Sequence, residues 1–343
     1  MVSASNAFPS SQAFRELPLL TLYLTERCNS RCISCDYWRT GQRDLSLESV
    51  REMLPDLSGF GTQLVLISGG EPLLNPHWPQ IAALLRSRGM TLWLLTSGLA
   101  LAKHAARAAA LFHSITVSLD GASQETYSAI RGLDAFNRVC EGIARVAHVV
   151  PTGVRVTVQR GNYQELPQLV DLAKRLGAAR ISFLAADVRG TAAFGRTGRP
   201  DHPIALSESD LPVFQRALED LSASHAADFA SGFIAESPRK LSHLLDYFAA
   251  LCGRGNFPPV RCNAPEFSAV FEASGNVRPC FFIPGPESSG RPPGLADALN
   301  SGKMAALRAE IRAGQRPECR SCVCSMWQEP GEPVRFSPPR SRQ

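Results

Sequence analysis

Six short apolar runs alternate with six helix-like segments over roughly the first 230 residues of this 343-residue chain, and that alternation limits its fold more than any other feature. The runs occupy 19–25, 63–68, 91–96, 114–120, 154–159 and 180–186; the helix candidates occupy 47–57, 78–88, 100–111, 134–148, 164–176 and 208–222. The runs are nearly continuous in hydrophobicity, as strands are when helices cover both faces of a parallel sheet. Six successive βα units predict an α/β fold, a partial (β/α)6 TIM-like barrel. After a further helical stretch near 237–250 the composition turns to Pro, Gly and Cys. A small lobe with so little to bury gains from a structural metal. The expected divisions are a disordered lead-in at 1–17, the barrel at 18–235, the small lobe at 236–330 and a disordered tail at 331–343.

The formal charge of +5 is spread along the chain, with no basic run interleaved with aromatics. No nucleic-acid partner is expected. No apolar stretch is long enough to cross a bilayer, and the first residues lack a basic segment, so no membrane partner is expected and a cytoplasmic protein is. In a reducing compartment, ten clustered cysteines point to metal ligation before disulfides.

The alternation places Cys28, Gly69, Gly70, Ser97, Asp120 and Asp187 after the carboxyl ends of strands, where α/β folds build their sites. The Gly-, Pro- and charge-rich segment 187–203 reads as a loop over the barrel mouth or a surface excursion. CNSRCISC at 28–35 spaces three cysteines as CX3CX2C. Zinc would need a fourth ligand, and neither Asp36 nor Tyr37 is convincing in that role. An iron–sulfur cube can use three cysteines and leave one iron open, so iron–sulfur is favoured over zinc without excluding it.

CX3CX2C after the first strand of such a barrel resembles the radical S-adenosylmethionine (SAM) superfamily. Around it, SGGEP at 68–72 resembles the element after strand two, TSG at 96–98 the end of strand three, and SLD at 118–120 the end of strand four. The resemblance implies a [4Fe–4S] cluster on Cys28, Cys32 and Cys35. Its open iron binds SAM, and reduction yields a 5′-deoxyadenosyl radical that abstracts a substrate hydrogen. The same resemblance assigns cofactor contacts to Gly69, Gly70, Glu71, Pro72, Ser97, Ser118 and Asp120. It adds Gln159 and Arg160 after strand five, with Leu184 and Ala185 beside the adenine. Ser34 departs from the pattern, which usually has an aromatic residue before the third cysteine; Tyr37 or Trp38 stands in reach of that role.

The late cysteines run Cys262–X17–Cys280, then Cys319–X2–Cys322–X–Cys324. By geometry alone a structural zinc remains open. The spacing resembles the SPASM/twitch auxiliary domains of radical SAM enzymes, in the short form. That implies a small C-terminal iron–sulfur-binding lobe with a second [4Fe–4S] cluster on Cys262, Cys280, Cys319 and Cys322, Cys324 being the alternative to Cys322. Cys140 reads as a buried small residue, and Cys252 is ambiguous.

The expected reaction is oxidation, or another modification, of a small hydroxylated or sugar-like natural-product intermediate, the auxiliary cluster accepting an electron. Asp187 is the candidate base. Arg189 and Arg196 are candidate clamps for an anionic group; Glu266 and His77 are more distant options. A reduced flavodoxin or ferredoxin-like protein is the expected electron donor. With about 18 residues before the first strand, a peptide maturase or epimerase ranks second. A non-catalytic iron–sulfur electron-transfer or scaffold protein is the alternative of another class.

Overall fold

The computed structural model describes residues 13–190, 193–194, 203–286, 294–329 and 332. In chain order the elements are β1 (Leu19–Thr25), α1 (Tyr37–Thr40), α2 (Leu47–Gly59), β2 (Leu64–Gly69), α3 (Trp78–Ser87), β3 (Thr91–Thr96), α4 (Leu101–Leu111), β4 (Ser114–Ser118), α5 (Gln124–Arg131), α6 (Phe136–Ala147), β5 (Thr152–Val158), α7 (Leu166–Arg175) and β6 (Arg180–Ala185). They continue with α8 (Leu211–Ser224), α9 (Ala226–Ala230), α10 (Pro238–Leu251), β7 (Ser268–Phe271), β8 (Val277–Arg278), α11 (Leu295–Asn300), α12 (Gly302–Arg312) and α13 (Pro317–Arg320). β1 to β6 pair in parallel in sequence order, as expected of a partial barrel built from βα units. All seven residues of β1 are buried, which is why its run of leucines has no polar face.

Serine side chains start the helices the sheet needs. Ser46 Oγ accepts from Ser49 N at 3.0 Å, Ser123 from Thr126 N at 3.2 Å, and Ser237 from Lys240 N at 3.2 Å. Each such cap is worth about 1 kcal/mol.

The structure departs from the expected divisions in two places. Phe14 and Leu17, assigned to the lead-in, are buried. Phe14 stacks edge-on against Phe60 at 5.8 Å, and its N–H donates to Asn300 Oδ1 at 2.8 Å. Residues 1–12 lie outside the described residues, as does most of the expected tail. Secondly, the sheet does not end with the barrel. β7 pairs in parallel with β1, Leu19 opposite Ser268, and β8 pairs antiparallel with β7, giving the order β6-β5-β4-β3-β2-β1-β7-β8. The cysteine-rich part therefore begins as an extension of the barrel sheet. Among the described residues, no helix is long and apolar enough to cross a membrane.

Candidate active site

The first cysteine loop leaves β1 and is clasped by the end of α5. The last carbonyls of a helix have no partner within it, and the loop supplies them. Arg31 N donates to Arg131 O, and Ile33 N to Ile130 O, both at 3.0 Å. Gly132 closes α5 in the left-handed region, at φ 71°, and any Cβ there would stand 2.4 Å from Arg31 O. Only glycine satisfies both demands.

Each thiol of the loop is taken up by a protein group. Ser30 N donates to Cys28 Sγ at 3.5 Å, and Arg131 Nη1 donates to Cys32 Sγ at 3.4 Å. Cys35 Sγ donates to Phe194 O at 3.4 Å. Burial pushes the Cys28 thiol up to about 12. Among the described residues, no three His, Cys, Asp or Glu side chains stand in a metal-ligating group. Ser34 is half-buried, Trp38 Nε1 donates to Cys32 O at 3.3 Å, and Tyr37 packs edge-on against Tyr23 at 6.1 Å.

Arg131 joins this loop to the end of β4. Its second nitrogen is 2.9 Å from Asp120 Oδ2, and both side chains are buried. Asp120 Oδ1 also accepts from Thr157 N at 2.7 Å. Burial raises Asp120 against the pull of Arg131. Burial acts on Arg131 in the other direction, but the charges of Asp120 and Cys32 outweigh it and hold the guanidinium protonated. Asp120, assigned from sequence to the cofactor, orients the cysteine loop through Arg131.

SGGEP is likewise occupied by its own chain. A Cβ on Gly70 would stand 2.2 Å from Arg27 O, and Gly69, at φ 123°, would carry one 2.4 Å from Thr25 O. Gly70 N donates to Thr25 O and Glu71 N to Arg27 O, each at 2.8 Å. The close approach expected toward a ligand is made to the strand end that leads into Cys28. Glu71 is fully buried: its carboxylate accepts from Thr96 Oγ1 at 2.8 Å, Ser97 N at 2.8 Å, Ser97 Oγ at 2.6 Å and Leu73 N at 3.2 Å. Glu71 and Ser97 therefore brace one another. Pro72 is buried, opening a single 3-10 turn.

Burial pushes the Glu71 carboxyl above its ordinary value of 4.5, against the hydrogen bonds from Ser97, Thr96 and Leu73. An acid raised on folding stabilises the folded state fully below its unfolded pKa, and that contribution is lost as pH climbs through the raised value. The stability advantage of the parent over Glu71→Gln is therefore expected to narrow from acid to neutral pH in paired urea titrations. A gap that widens instead would mean that the donors keep the carboxylate ionised.

The remaining assigned residues separate. Ser118 is half-buried, opposite Arg155 in register. Gln159 is buried, with Oε1 unpartnered. Arg160 is exposed and paired with Asp210 at 3.3 Å. Leu184 and Ala185 line a cavity of about 260 Å³ at the end of β6. Asp187 Oδ1 accepts from Arg189 N at 3.1 Å and Gly190 N at 3.0 Å, holding its own turn, and Arg189 lies over the Phe257 ring at 5.2 Å. Arg196 lies outside the described residues. Glu266 pairs with Arg312, and His77 is exposed at the start of α3.

The five late cysteines, Cys262, Cys280, Cys319, Cys322 and Cys324, share the wall of one cavity of about 420 Å³ without closing into a ligand set. Burial pushes Cys280, Cys322 and Cys324 up, and Cys319 up to about 11. Cys252 stands apart, donating to Leu206 O at 3.5 Å, and half-buried Cys140 packs against the core. Phe194 links the two cysteine regions. Its carbonyl accepts from Asp36 N at 2.8 Å and from Cys35, while its ring meets Phe282 at 5.9 Å, two residues past Cys280.

Arg131 and Phe194 hold this site together, yet neither was singled out from sequence. Only Arg131 had a local signal: Ser123 as a helix start and Gly132 as a stop bracket α5.

Residues 22–173 match the Radical SAM superfamily. Fe-coproporphyrin III synthase of Methanosarcina barkeri is 30% identical over 173 residues, covering 48% of this chain and 43% of that protein. PqqA peptide cyclase of Methylorubrum populi is 30% identical over 212 residues, covering 60% and 55% respectively. The chain thus spans about half the length of the curated relatives it matches. SuiB of Streptococcus suis, solved with its precursor peptide SuiA, superposes with a TM-score of 0.63 at 14% identity, covering 86% of this chain and 67% of that one. At that identity the likeness speaks for the fold alone, a partial barrel followed by a cysteine-rich lobe.

Proposed function

We infer that this chain, whose residues 22–173 match the Radical SAM superfamily, is a radical SAM enzyme that modifies a peptide. The observation that carries the reading is the pair of cysteine regions, Cys28–Cys35 after β1 and five cysteines around one cavity, joined through Phe194. The PqqA peptide cyclase relative and the peptide-bound SuiB fold neighbour support a peptide in place of the small hydroxylated metabolite favoured from sequence. This reverses the order in which the sequence alone ranked the two.

The donor chemistry fits iron–sulfur clusters. Three thiols share one loop, with Ser30 N–H and the Arg131 guanidinium directed at sulfur, as cluster thiolates require. Cys28, Cys32 and Cys35 would hold the SAM-binding cluster. Cys262, Cys280, Cys319 and either Cys322 or Cys324 would hold the auxiliary one. With SAM bound and one electron from an external reductant, the first cluster would supply the chemistry that yields a hydrogen-abstracting radical. The chain's own part is positional: the α5 clasp and the Gly69–Gly70 approach fix the loop, and Glu71 ties the ends of β2 and β3 behind it.

Anaerobic iron and sulfide analysis tests this. The parent is expected to hold about eight irons and a Cys28/Cys32/Cys35 triple alanine variant about four. The parent, and not the variant, should release 5′-deoxyadenosine faster with a cognate peptide than without. A parent with about four irons, all lost in the variant, would remove the auxiliary cluster. Stimulation by hydroxylated metabolites but by no peptide would restore the first ranking.

A further inference from the structure

Arg155 sits in the middle of β5, opposite Ser118 on β4 and Ser182 on β6. Its Nε is buried without a partner, and among the described residues its guanidinium makes no hydrogen bond or ion pair. Arg155 is half-buried, and its side chain lines the 260 Å³ cavity, whose wall also includes Leu184, Glu236, exposed Lys240, His243 and Cys324.

The charges around the cavity do not balance. Arg180 is close enough that Arg155, after burial, lowers its pKa, and Lys240 adds a third cation. Glu236 is the one carboxylate in the wall; it accepts from Phe183 N at 2.8 Å, and the charges of Arg155 and Lys240 pull its carboxyl down against burial without a direct contact, leaving one anion among three cations. A planar guanidinium with free donors in a cavity of net positive charge suits a carboxylate held by two parallel hydrogen bonds. The space admits a side chain, not a folded peptide segment. It also opens between the end of β6 and the segment carrying Cys322 and Cys324.

We propose that this cavity is a subsite for an acidic side chain of the substrate, with Arg155 as the residue that selects it. The peptide context rests on the function inferred above; the preference for a carboxylate does not.

The test is a binding measurement on the anaerobically purified full chain, with no SAM cleavage involved. The probes are N-acetylglutamate N-methylamide and its isosteric glutamine analogue, titrated calorimetrically. The parent is expected to favour the glutamate probe by at least about tenfold. Arg155→Gln should bind both probes alike, and Arg155→Lys, which keeps the charge without the fork, should fall between. Equal binding of the two probes by the parent, no binding of either, or a preference that survives in Arg155→Gln would each overturn the proposal. So would a loss of iron from Arg155→Gln, which would assign the guanidinium to the cysteines as their counter-charge. Because the readout is affinity, a failure here is separate from a failure to find a peptide that stimulates SAM cleavage.

Discussion

Arg131→Met is expected to lower stability by about 3–5 kcal/mol at neutral pH, because it leaves the Asp120 carboxylate buried without its cation. The substitution keeps most of the side-chain volume, so the loss is one of charge and hydrogen bonding and not of packing. Three contacts change together: the ion pair to Asp120, the bond to Cys32 Sγ, and the orientation of the carbonyls that hold Arg31 and Ile33. Urea unfolding at two pH values separates the charge effect from the rest. Protonating Asp120 relieves the unpaired charge, so the deficit should shrink as the solution is made more acidic. Arg131→Met combined with Asp120→Asn should recover part of the loss even at neutral pH, since neither member of the pair is then left charged. A single variant as stable as the parent would show that the pair contributes nothing.

Gly70→Ala is expected to cost about 3–5 kcal/mol, from overpacking together with two weakened backbone hydrogen bonds. The added Cβ would meet Arg27 O at 2.2 Å and Arg27 C at 2.7 Å, and neither backbone atom can swing aside as a side chain would. The bonds at risk are Gly70 N to Thr25 O and Glu71 N to Arg27 O. Arg27 directly precedes Cys28, so the displacement should also reduce the iron bound by the first cysteine loop. Gly59→Ala is the matched control. Gly59 ends α2 without a positive φ, and a methyl added there would meet nothing within 4 Å, so the change should be neutral or slightly stabilising. Equal melting temperatures for the two variants would rule out the close approach as a constraint.

The strands were legible because their signal is local. The segments 19–25 and 91–96 coincide with β1 and β3, and the other four barrel strands differ by at most two residues at either end. The order of the parallel sheet followed from the alternation with helices. What escaped the sequence depends on partners far along the chain. Arg131 lies 99 residues from Cys32, and Glu71 lies 25 or more from Thr96 and Ser97. Spacing within a motif carries no trace of such contacts, so the bracing of the chain by Glu71 and Asp120 was not legible beside their assignment to the cofactor. α5 was missed because Asp120–Gly121 has the composition of a turn, and the eight residues from Gln124 are too few for a strong period. β7 is four residues long and follows a Pro- and Gly-rich stretch, so nothing local distinguished it from the loops around it.

That short strand limits how the molecule can be divided. A fragment ending near residue 235 would retain every βα unit, yet it would lose β7 and lay bare the outer edge of β1 from Leu19 to Leu22. Exposed apolar edges recruit strands from other chains, so such a fragment should aggregate. The cysteine-bearing half is then an edge cover for the barrel as well as a site of its own, and the two halves would have to be exchanged between homologous proteins as one piece.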